Sequence, residues 1–134
     1  MANILLATRD KAPFSHMIDA FESNGYKVDT VNSGKSALAE IEHGAPRLLI
    51  ADEELPDMSG KTLLETTVTQ NPMMDCVAVS TLSEEDFHEV FEGMGVLMQF
   101  PPEPGKTDVQ NLVAHLDKIA SLSTPQADRK ETAE

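Results

Sequence analysis

Leu48-Leu49-Ile50-Ala51-Asp52-Glu53-Glu54-Leu55-Pro56-Asp57-Met58-Ser59-Gly60 decides how this chain is read. Leu48 to Ala51 form an apolar run with the length of a strand buried on both faces. The run stops at Asp52, and the turn formers Pro56, Asp57, Ser59 and Gly60 follow. A carboxylate where a central strand ends lies at the C-terminal edge of its sheet, where open α/β sheets keep their binding crevices. Asp52 is therefore the first candidate site residue. The competing reading makes it the start of a solvated acidic turn with Glu53 and Glu54.

Around that stretch the chain has 134 residues, enough for one domain with a single core. The apolar run Ile4–Ala7 is too short for a signal peptide and lacks the flanks of one, so a soluble cytoplasmic protein is expected. Cys76 is the only cysteine, which excludes an intrachain disulfide and suits a buried thiol. His16, His43, His88 and His115 are too scattered for a metal motif. The net charge of −13 argues against direct binding to nucleic acid or to an anionic membrane. Residues 122–134 set Asp128, Glu131 and Glu134 against Arg129 and Lys130, so nearly all the acidity belongs to the body. It concentrates at Asp52–Asp57 and at Glu84–Glu92, faces that are ordinarily solvated and otherwise favour a basic protein partner.

Taken from the N-terminus, Ile4–Ala7 reads as a central strand. Phe14, Met17, Ile18 and Phe21 follow at helical spacing until Asn24-Gly25. Tyr26, Val28 and Thr30 alternate with Lys27 and Asp29, the pattern of an edge strand. Ser33 is placed to cap a helix carrying Ala37, Leu38 and Ile41 to about Gly44. After the strand at 48–51, a helix from about Lys61 to Gln70 is expected to bury Leu63, Leu64, Thr67 and Val68, with Asn71-Pro72 breaking it. Val77–Val79 forms a fourth strand. Ser83 with Asp86 resembles a capping box opening an acidic helix that buries Phe87, Val90 and Phe91. Gly93 and Gly95 end that helix. Val96–Met98 makes a fifth strand before Pro101, Pro102 and Pro104. A last helix carries Val109, Leu112, Val113, Leu116, Ile119 and Ala120 on one stripe. From Leu122 onward periodicity vanishes, and 122–134 reads as a disordered tail after a domain spanning 1–121. Five alternations of strand and helix predict a parallel sheet with helices on both faces.

Asp52, Pro56, Asp57 and Gly60 after the third of five βα units resemble the receiver domain of bacterial response regulators. The likeness extends over residues 3 to about 121. It implies the flavodoxin-like strand order 2-1-3-4-5 and identifies Asp52 as the phosphoryl acceptor, with Ser80 as the switch hydroxyl and Thr81 beside it. The pattern is consistent on its own terms, since strands one and three flank the switch point of that fold, with Thr8, Arg9 and Asp52 at their ends.

The departures from the family are as informative. The resemblance implies an acidic pair after strand one, and this chain has Thr8 and Arg9 there, with Asp10 next. A Mg²⁺ site would rest on Asp10 and Asp52 and is weakened by Thr8 and Arg9. The expected lysine after strand five is absent, because either Phe100 or Pro101 occupies its position, and the likeness implies a cis bond at one of the prolyl residues. Gln99 or Met98 stands where the family has an aromatic switch residue.

Three functional readings follow. In the first, this is an atypical receiver, not itself an enzyme, that acts through protein contacts, with Arg9 replacing Mg²⁺ as counter-charge to Asp52. In the second, Asp52 is phosphorylated by a histidine kinase in the conventional way. In the third, the chain is a flavodoxin-type ligand binder, which Thr8-Arg9-Asp10-Lys11 disfavours because that loop has one hydroxyl and no glycine. The resemblance further implies output through helix four, strand five and helix five. The glutamates of helix four would suit a basic partner, and no output domain is expected within the chain.

Overall fold

The computed structural model describes residues 3–44 and 46–123, with side chains as far as Lys118. Five strands alternate with five helices: β1 Asn3–Ala7, α1 Ser15–Ser23, β2 Lys27–Val31, α2 Gly34–Gly44, β3 Leu48–Ala51, α3 Gly60–Gln70, β4 Asp75–Val79, α4 Glu84–Phe91, β5 Val96–Phe100 and α5 Lys106–Ser123. A single 3-10 turn, Ala12–Phe14, leads into α1. All strand pairs are parallel and the order is β2-β1-β3-β4-β5, as expected for the flavodoxin-like arrangement.

The short apolar runs became the central strands because both of their faces are covered. Ile4, Leu6, Leu48 and Ile50 point into one core layer with Phe14, Met17 and Phe21 of the α1 region and Val109, Leu112 and Leu116 of α5. Leu5, Leu49, Cys76 and Ala78 point into the other, with Ala37 of α2 and Leu63 and Leu64 of α3. Alternating β2 lies at the edge, and none of its residues is fully buried. Burial also decides the state of the lone cysteine: desolvation, with Asp75 nearby, pushes the Cys76 thiol up to about 12, so it stays protonated and unreactive.

The helix starts follow local chemistry. Ser33 Oγ accepts from Ser36 N–H at 3.0 Å at the head of α2. Ser59 accepts from Thr62 N–H at 3.1 Å and caps α3 one residue earlier than its apolar pattern suggested. Val68 of α3 is half-buried. At the far end of the sheet from Asp52, Arg47 and Asp75 form an ion pair.

Several expectations are corrected. α4 buries none of its residues: Phe87 and Phe91 are half-buried, and Val90 is 38% exposed. Phe87 and Phe91 only flank the second core layer, as do Met94 and Val96 after them. The capping box there is one-sided, with Asp86 N–H donating to Ser83 Oγ at 3.2 Å. β5 continues two residues beyond Met98, to Phe100. Among the described residues no peptide bond is cis, so the implied cis-prolyl bond is absent, and the trans form is the intrinsically favoured one. α5 runs through Ser123, taking in the first two residues assigned to the tail. The rest of that tail, 124–134, lies outside the described residues, as do the side chains of Ile119 and Ala120. No described helix is long and apolar enough to cross a membrane.

Candidate functional site

Parallel register brings the ends of β1, β3 and β4 together. Ala7 pairs with Ala51 and Ala51 with Ala78, so Thr8, Asp52 and the residues after Val79 emerge side by side from a buried sheet. The ladder continues one step past the strands, with Asp52 N–H donating to Ala7 O at 2.9 Å and Ser80 N–H to Phe100 O at 3.0 Å. Asp52 is thus fixed by its backbone, with its half-buried carboxylate facing the crevice.

Both oxygens of that carboxylate are engaged. Oδ1 accepts from Glu53 N–H at 2.7 Å, and Oδ2 accepts from the Thr8 hydroxyl at 2.7 Å. Thr8 is 1% exposed. Its hydroxyl carries one proton and has two acceptors in reach, Asp52 Oδ2 and Asp10 O at 3.0 Å. The shorter, charged partner takes the proton, while Asp10 N–H donates to Thr8 Oγ1 at 3.2 Å.

Arg9 is exposed and does not pair with Asp52. The three ion pairs among the described residues are Lys27–Asp29, Arg47–Asp75 and Lys61–Glu65. The counter-charge expected from Arg9 is therefore not formed. Arg9 lies just beyond the buried end of β1, where its side chain is free to stay solvated, whereas Thr8 is held inward. Asp10 turns its Oδ1 to the Ala12 N–H at 3.1 Å, closing a local turn.

The loops fix the remaining positions. Pro56 and Asp57 lie in a turn held by Leu55 N–H donating to Met58 O at 2.9 Å. The Asp57 carboxylate accepts from Gly34 N–H at 2.8 Å and Lys35 N–H at 3.0 Å, fastening this turn to the start of α2. Those two backbone donors hold the Asp57 carboxyl below its ordinary value. Gly60 has its own reason: a Cβ there would sit 2.0 Å from Asp52 O, so any side chain would push the acceptor strand out of place.

Ser80 is 4% exposed, and its Oγ accepts from Leu82 N–H at 3.0 Å, closing its own turn. Thr81 is exposed and turns toward Glu53. Phe100 is fully buried in the core and Pro101 is exposed, so neither supplies the missing cation. Gln99 Nε2 donates to Ser80 O at 3.2 Å and to Leu82 O at 2.8 Å, tying β5 to the loop after β4.

Thr8, Glu53 and Gln99 have these roles by tertiary contact. Only Thr8 offered a signal in advance, as the hydroxyl at the end of the strand beside Asp52. Lys61 is a further residue without a signal. It lines the cleft of about 160 Å³ that also touches Asp52, Glu53 and Ser80, while its Nζ pairs with Glu65 at 3.2 Å.

The donors do not fit Mg²⁺. That ion needs a near-octahedral set of oxygens, here with more than one carboxylate. Beside Asp52 stand a hydroxyl already donating to it and the Glu53 carboxylate, which is turned to Thr81, while the Asp10 carboxylate is turned to its own backbone. Among the described residues no three His, Cys, Asp or Glu side chains form a metal-holding group.

Solved structures with the same fold include a CheY-like receiver domain protein from Methanospirillum hungatei, 23% identical, with a TM-score of 0.79 over 92% of this chain and 99% of that one. CheY4 of Vibrio cholerae is 16% identical, with a TM-score of 0.76 over 87% of this chain and 98% of its own. NtrX from Brucella abortus is 20% identical with a TM-score of 0.79, but the match covers 95% of this chain and 29% of NtrX, so the chain spans under a third of that protein's length. The family model described as "Response regulator receiver domain" matches residues 4–98, which include Thr8, Asp52, Gly60 and Ser80. The chain belongs to the response regulator receiver domain family of two-component signalling.

Proposed function

We propose that this receiver signals through protein contacts without stable phosphorylation of Asp52, and that it is not an enzyme in its own right. The observation that carries this reading is the state of the Asp52 carboxylate, both of whose oxygens are engaged by donors of the chain itself. Phosphoryl transfer spreads negative charge over equatorial oxygens and relies on a divalent cation or lysine to neutralise it. The crevice offers a poor donor set for the first, and Phe100 or Pro101 stands in place of the second.

Contact with a partner would use the groove of about 600 Å³ between α4 and β5, lined by Phe87, Phe91 and Met98 and rimmed by Glu84, His88 and Glu92. An apolar floor with an acidic rim suits a partner segment that is apolar and basic. Receiver domains in general interact with histidine kinases and other signalling proteins, and a kinase is the natural upstream candidate.

One observation favours conventional phosphorylation instead: Lys61 lines the Asp52 cleft, and its exposed pair with Glu65 holds it only weakly. Intact mass after incubation with Mg²⁺ and a small phosphodonor separates the two readings, with an ordinary receiver as positive control. We expect no adduct on the wild type. An adduct on wild type that is absent from Asp52→Asn would replace the first reading with the second.

A further inference from the structure

Glu53 follows Asp52, and its side chain crosses to the loop after β4. Its Oε2 accepts from the Thr81 backbone N–H at 3.0 Å and from the Thr81 hydroxyl at 3.0 Å, and Oε1 lies 3.3 Å from that same hydroxyl. The two residues are 28 positions apart, so this is a tertiary staple from the end of β3 to the end of β4. Two other fastenings converge on the same loop, the Gln99 carboxamide on Ser80 O and Leu82 O, and the Ser80 hydroxyl on Leu82 N–H. The loop leads directly into Ser83, the N-cap of α4. α4 buries no residue and meets the core only through half-buried Phe87 and Phe91, so the contacts of this loop bear directly on its position.

A backbone N–H and a hydroxyl presented together at the end of a parallel strand form a place for an anion. Here the chain supplies that anion. We propose that Glu53 is a positioning residue whose carboxylate serves as the resident anion of the Asp52 crevice. By holding Thr81 it sets the orientation of α4, and with it the α4–β5 groove, without a transferred group. The functional meaning of this role rests on the phosphorylation-independent reading above. An anion added at Asp52 would meet the Glu53 charge and compete with it for the Thr81 donors.

The test is amide hydrogen exchange by NMR on the full chain, comparing wild type, Glu53→Ala and Glu53→Gln at Thr81, Leu82 and along α4. A charge-assisted hydrogen bond is lost in Glu53→Ala, so Thr81 N–H should exchange about tenfold faster or more. The α4 amides should loosen with it. Glu53→Gln keeps a neutral acceptor and should fall between the two. Added acetate returns the missing carboxylate and should restore part of the protection in Glu53→Ala, which a side chain acting only as filler would not allow.

Wild-type exchange at Thr81 in Glu53→Ala would overturn the staple. Wild-type protection in Glu53→Gln would overturn the anionic role. Phosphodonor labelling of the same samples keeps the two proposals apart. An adduct on Asp52 defeats the phosphorylation-independent reading while the exchange data still decide the Thr81 contact. Unlabelled protein with unchanged exchange defeats Glu53 alone.

Discussion

α4 and α5 carry similar apolar stripes and are used in opposite ways. On α5, Val109 and Leu112 are fully buried and Leu116 is 2% exposed, packed with Phe14, Phe21 and Phe100. On α4, Phe87 and Phe91 stack on each other at 4.6 Å between ring centroids, both half-buried, and Val90 is 38% exposed. α5 packs along α1 and over the sheet, whereas α4 meets the core only through the half-buried Phe87 and Phe91. Periodicity states which side of a helix faces inward, and it does not state how much that side will meet. α5 therefore contributes more to stability than the thinly packed α4, which is the element whose position a loop contact can set.

The sharpest way to break this contrast is a pair of truncations. Leu112→Ala should destabilise the fold by about 2–5 kcal/mol, as removal of a fully buried leucine does, read as a shift in the urea unfolding midpoint. At the crevice, Thr8→Val removes the hydroxyl donor to the Asp52 carboxylate and should cost about 1–3 kcal/mol. A double-mutant cycle with Asp52→Asn should show that the two costs are coupled; additive costs would mean that the contact contributes nothing.

Val90→Ala on α4 should stay within about 0.5 kcal/mol, like other surface substitutions. If it costs as much as Leu112→Ala, the comparison between the two helices fails. The smallest effect is expected at Asp57. Its folded value is lowered below the ordinary 3.8, so its bonds to the start of α2 stabilise the fold above that pH and lose their effect as pH falls through the lowered value. Wild type should therefore be slightly more stable than Asp57→Asn at neutral pH and lose that advantage in acid, as followed by thermal unfolding across a pH series.

The strands were legible because their signals are local. Leu48–Ala51 is uniformly apolar, with a carboxylate at its end, and β2 alternates, which placed it at the edge. The meeting of Thr8, Asp52 and Ser80 was legible too, since in a parallel sheet of this order the C-terminal ends of β1, β3 and β4 must lie together. The partner of Asp52 was not. Thr8 and Arg9 are adjacent in sequence, and the choice between them depends on which residue the end of β1 turns inward. Arginine's charge made it the more attractive candidate, and the structure gives the contact to the smaller residue. Glu53 and Gln99 gave no signal, because a glutamate and a glutamine look ordinary in sequence until the residues 28 and 19 positions away are brought beside them.

Sequence by itself determined the alternation of strands and helices, the covered and edge strands, the acidic body and the carboxylate at the mouth of the sheet. These rest on patterns of period 2 and 3.6 and on residues that stop them, all local properties. Tertiary structure alone decided that Thr8 holds Asp52, that Asp57 fastens the turn to α2, that Glu53 spans the crevice to Thr81, and that α4 stays half-uncovered. Each of these depends on distances between segments far apart in the chain, which packing sets and no local pattern encodes.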